Sequence, residues 1–189
     1  MPKLAIFAIL ISAALCAAAQ PAPPRPVDPY DAERMLVARR KYDEAIKRLE
    51  ERMKTGECRG AVCDTLLAIA HSKVQKPDRA AEHAEKAVEK IADEPLLKDW
   101  EANDIGVILF RAPHRTKSQL SAAAKAFRFA RVHYKGRGSN IVFNLKETLQ
   151  ALGEQSEASA LQRELDARFV IDPRLAILGD FQDVTVERR

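Results

Sequence analysis

Four times along this chain an alanine is followed, at steps of four and three, by residues that share its helical face. The sets are Ala45, Leu49 and Arg52; Ala80, Ala84 and Ala87; Ala123, Phe127 and Ala130; and Ala158, Gln162 and Leu165. Such steps return to one side of an α-helix. Small residues there let a neighbouring helix approach closely, and a ring such as Phe127 fills the space between. The leading alanines recur 35, 43 and 35 residues apart. The long middle interval carries additional residues around 93–95 and 113–117, which predict loops.

The third copy is the clearest. Residues 103–130 read as two amphipathic helices, with Ile105, Gly106 and Leu109 in the first and Ala123, Phe127 and Ala130 in the second. Glycine inside a helix costs about 1 kcal/mol relative to alanine, and close contact with a second helix would offset it. This layout resembles the tetratricopeptide repeat family. That family has a period of about 34 residues, Leu-Gly and an aromatic in the first helix, and A-x3-F in the second. Ile105-Gly106, Ala123 and Phe127 carry the likeness, with Leu109 in place of the aromatic, and Tyr42-Asp43-Glu44-Ala45-Ile46 matches the start of a second helix.

The resemblance covers residues 30–169 and implies an all-α solenoid of about four antiparallel helix pairs. In such a solenoid the first helix of each pair lines a concave groove. Carried over position by position, the lining would be Tyr30, Arg34 and Val37 from the first pair and Thr65, Ile69, Ser72 and Lys73 from the second. The third pair would add Trp100, Asn103, Val107, Phe110 and Arg111, and the fourth Phe143, Glu147 and Gln150. Trp100, Phe110 and Phe143 with Arg111 have the composition of a binding hot spot. The implied partner is a peptide or protein. Relatives that grip a peptide's terminal carboxylate use Lys and Asn at places where this chain has Tyr30 and Arg34, so that ligand type is not implied.

Residues 1–19 have the marks of a secretory signal: Lys3, an apolar run from Leu4 to Leu15, and Ala17-Ala18-Ala19 as the cleavage site. A lipid anchor on Cys16 would call for Gly, Ala or Ser before it, and Leu15 stands there. Cleavage near Ala19 and export to a periplasm or the exterior is the expectation. Residues 20–29 hold five prolines and predict an extended spacer. Once Cys16 is removed, Cys58 and Cys63 remain, flanking a short Gly-containing turn. In an exported chain that pair reads as a disulfide. The two cysteines alone do not supply a metal site.

A net charge of +4 spread over many residues of both signs describes a solvated helical surface and does not call for nucleic acid. The basic stretch 125–137, with Lys125, Arg128, Arg131, Lys135 and Arg137, offers an alternative role in binding anionic lipid or cell-wall polymer. His71, His83, His114 and His133 form no metal or catalytic motif, and no nucleophile elbow or phosphate loop occurs. A non-enzymatic scaffold without cofactor or metal is therefore expected. In residues 170–189, Asp172-Pro173 predicts the start of a short capping helix that stops at Gly179, followed by a tail.

Overall fold

A computed structural model describes residues 28–134, 138–171 and 185–187. Among these are eight α-helices: α1 (Asp31–Ala38), α2 (Tyr42–Thr55), α3 (Ala61–Lys73), α4 (Pro77–Lys90), α5 (Asp99–Phe110), α6 (Lys117–His133), α7 (Ser139–Leu152) and α8 (Gln155–Arg168). A single 3-10 turn, Ile91–Asp93, follows α4. The signal segment, nearly all of the proline-rich spacer and the expected capping helix at 172–179 lie outside the described residues. Among the described residues no helix is long and apolar enough to cross a membrane.

The alanine register behaves as its spacing requires. Ala45, Ala80, Ala123 and Ala158 are all at most 1% exposed. A β-carbon built on Gly106 would lie 2.5 Å from a ring carbon of Phe127, so the absent side chain is what lets α5 and α6 close on each other. Both loops of the long interval occur as expected, at residues 94–98 and 111–116. At the second, Thr116 Oγ1 accepts from the Gln119 amide and Gln119 Oε1 from the Thr116 amide, a capping box that starts α6. Gly56, at φ 76°, takes the left-handed conformation that ends α2.

Each helix packs on its neighbour in sequence, and the odd-numbered helices also touch one another, α1 with α3, α3 with α5 and α5 with α7. Helix α3 is buried at every position from Ala61 to His71, as an all-round apolar helix must be. The Cys58–Cys63 disulfide is formed, with Cα atoms 5.9 Å apart, and ties the turn after α2 to the first turn of α3. The tail departs from expectation. Residues Phe169–Ile171 and Thr185–Glu187 form a short antiparallel ladder, Val170 opposite Val186. Three residues a side are too few to read from polarity alternation alone.

Candidate binding groove

The odd-numbered helices enclose a run of adjoining hollows. The largest, about 530 Å³, is walled by Arg34, Met35 and Val37 of α1, Ile69 and Lys73 of α3, and Trp100 and Asp104 of α5. A second, of about 140 Å³, continues from Ile69, Lys73 and Asp104 to Ser72, Val107, Ile108 and Arg111. Val107 leads on into a narrow crevice with Phe110, Phe127, Asn144 and Glu147. Of the residues expected from sequence, these hollows gather Arg34, Val37, Ile69, Ser72, Lys73, Trp100, Val107, Phe110, Arg111 and Glu147.

The other expected residues serve elsewhere. Tyr30 is buried, with Arg52 5.2 Å from its ring centre. Thr65 is fully buried in α3. Asn103 is buried and its Oδ1 accepts from Asn144 Nδ2 at 3.2 Å, joining α5 to α7. Phe143 is buried beneath the Lys146 ammonium, 4.6 Å from the ring centre, and Gln150 is exposed near the end of α7. The three aromatics do not make one strip. Trp100 stands 39% exposed beside the large cavity, Phe110 lies half-buried with Arg115 over its ring, and Phe143 is covered.

Arg34 faces the large cavity, yet its guanidinium is occupied. Nε and Nη2 donate to the two oxygens of Glu101 at 2.6 and 2.8 Å, Nη2 also donates to the Leu96 carbonyl, and Nη1 meets Asp28. Burial works against the charge on Arg34, but Glu101 and Asp28 outweigh it and hold the pKa above its ordinary value. Glu101, itself fully buried, also accepts from the Lys98 amide. This cluster joins α1 directly to α5, with Arg34 in the wall of the large cavity. Its partners lie 67 residues apart, so no local pattern announces it.

Asp104 is the unexpected member of the groove. It lines both larger hollows, is 8% exposed, and its Oδ1 has no hydrogen-bond partner among the described residues. Burial pushes its carboxyl well above the usual range; Lys73 pulls it down in part and Glu101 pushes it further up. Sequence reasoning stepped from Asn103 to Val107 and passed over it. A signal that could have found it is its place one turn before Val107 and Ile108.

Two further expectations meet the structure away from the groove. His71 and His83, twelve residues apart in sequence, stack with ring centres 5.6 Å apart. His83 Nδ1 and Lys90 Nζ lie 3.0 and 2.9 Å from the two oxygens of buried Asp64. Burial alone would raise Asp64, but these two partners hold it below the ordinary carboxylate range. Elsewhere, Arg128 meets Glu157 and Glu154, and Arg131 meets Glu164. These basic residues of α6 are thus answered by the acidic face of α8. No protein-family model matches this chain, and no curated protein matches it at a significant level.

Proposed function

We propose that the protein is a non-enzymatic adaptor, exported through its amino-terminal segment, whose four tetratricopeptide-like helix pairs hold a peptide or protein segment along the groove. The observation that carries this reading is the continuity of the groove. The two larger hollows share Ile69, Lys73 and Asp104, so an extended chain could run from Trp100 past Asp104 to Val107 and Arg111 without leaving them. The exposed apolar residues Met35 and Trp100 stand at the wide end, where a partner side chain would bury them. Recurrence of the alanine register at four equally buried positions supports the repeat reading. The envelope setting rests on the signal-like residues 1–19 and is consistent with the disulfide.

The anionic-surface alternative gains little from α6, because Arg128 and Arg131 are already paired with Glu157 and Glu164. A photocrosslinking residue placed at position 100 or at position 125 separates the two readings. Crosslinks to a discrete protein in an envelope extract are expected from position 100 and not from 125. Capture from 125 alone, or from neither, overturns the adaptor.

A further inference from the structure

Asp104 is nine-tenths buried, lines two adjoining cavities, and its buried Oδ1 has no hydrogen-bond partner among the described residues. Ionised side chains are left in that condition at a cost unless something else completes them. The neighbouring charges do not complete Asp104. Glu101, one turn earlier on α5, is like-charged and is taken up by Arg34. Lys98 reaches Asp28, at 3.8 Å. Lys73 of α3 and Arg111 at the end of α5 are exposed on the groove's edge, where water and salt weaken their reach. Asp31 on α1 is exposed as well.

We propose that Asp104 is the specificity-determining residue of the groove, receiving the cationic side chain of an arginine or lysine in the bound segment. This rests on the groove reading above. The stem of such a side chain would lie over Ile69 and Val107, both in the wall around Asp104, in the way long basic side chains cover apolar surface with their methylenes. Its guanidinium or ammonium would donate to the Asp104 carboxylate from the cavity side. Charge-assisted hydrogen bonds of this kind are among the stronger ones available in a partly dry site. Because burial raises the Asp104 carboxyl, the free protein carries its proton to higher pH than an exposed aspartate would. Binding of the cation favours the ionised form, so the proton leaves to solvent. Affinity therefore rises with pH up to the raised pKa of Asp104 and is level above it.

Trp100 is the chain's one tryptophan and lies in the same cavity, so its emission reports occupancy without a label. Three blocked tripeptides serve as probes: acetyl-leucyl-arginyl-leucinamide, its citrulline counterpart (neutral and nearly isosteric) and its glutamyl counterpart. The arginine probe is expected to bind roughly tenfold more tightly than the citrulline probe, with proton release seen calorimetrically in buffers of different ionisation enthalpy. Asp104→Asn, checked for unchanged helicity, should remove both the preference and the proton release.

Equal binding of the arginine and citrulline probes, or a preference that survives Asp104→Asn, would overturn the assignment while leaving the groove in place. Tighter binding of the glutamyl probe would overturn it in favour of an acidic partner held by Lys73 and Arg111. Failure of all three probes to alter Trp100 emission overturns it too. If position 100 still crosslinks a protein partner, that last result condemns only the Asp104 assignment; if it does not, the groove reading falls as well.

Discussion

The first helix pair and the third are held by different forces. Helices α5 and α6 meet through shape: Gly106 gives way to the Phe127 ring, with Ala123 and Ala130 on either side almost fully buried. Helix α1 has only eight residues, and the two it buries are Glu33 and Arg34. Glu33 is answered by Arg48 at 2.6 Å and Arg52 at 3.1 Å from α2, and Arg34 by Glu101 from α5. A two-turn helix has too little apolar surface to be fastened by burial alone. It is fastened by charges whose partners must all be present. Packing of the first kind tolerates a change of pH or salt; the second kind does not tolerate the loss of a member.

The largest expected effect is on that charged cluster. Arg34→Met leaves Glu101 buried without its counter-ion and should destabilise by about 3–5 kcal/mol in denaturant titration. Pairing it with Glu101→Leu should restore most of the loss, since two matched apolar residues replace two matched charges. A small loss in the single variant would mean that α1 is held by something other than its ions. Phe127→Ala tests the opposite region and should also cost about 3–5 kcal/mol. Gly106→Ala in the same contact sets a helix gain of about 1 kcal/mol against overpacking of about 1–3 kcal/mol, and a net loss is expected.

Next in size is the disulfide. Its reduction, or Cys58→Ser with Cys63→Ser, should lower stability by about 2 kcal/mol on the chain-entropy account, with α3 still helical by circular dichroism. The smallest effect is a gain. Asp104→Leu removes a buried group with an unmet oxygen and should stabilise by about 1 kcal/mol or more at neutral pH. The sign follows from the raised carboxyl: the folded state holds the proton more tightly than the unfolded chain. Stability is thus lost as pH rises from the ordinary value of 3.8 towards the folded one. The pH-dependent part of the gain in the variant should vanish below that ordinary value. Asp64 has the opposite sign. Its depressed carboxyl adds stability above the unfolded value that is lost as pH falls through the folded one.

Much of this was legible before any coordinates. Alanines at four- and three-residue steps mark helix faces because side-chain direction repeats every 3.6 residues, and the burial of Ala45, Ala80, Ala123 and Ala158 follows from that period. Gly106 and Phe127 were readable as a contact because a glycine in a helix needs a reason. Part of the lining was anticipated too: Ile69, Lys73, Trp100, Val107 and Phe110, carried over from the family's first-helix positions, lie around the hollows. Tyr30, Asn103 and Phe143 stand at comparable positions and turned inward, because each has a partner (Arg52, Asn144, Lys146) that no repeat pattern specifies.

The amino-acid order alone therefore pointed to the all-helical class, the buried alanine faces, the two loops of the long interval and the Cys58–Cys63 crosslink. All of these depend on interactions within a few tens of residues. Tertiary structure decided which polar groups are spent and which remain available. Arg34 is consumed by Glu101 from 67 residues away and Asp64 by His83 and Lys90, while Asp104 Oδ1 has no hydrogen-bond partner among the described residues. Electrostatic pairing is settled by distance and local dielectric between side chains that only the folded chain brings together.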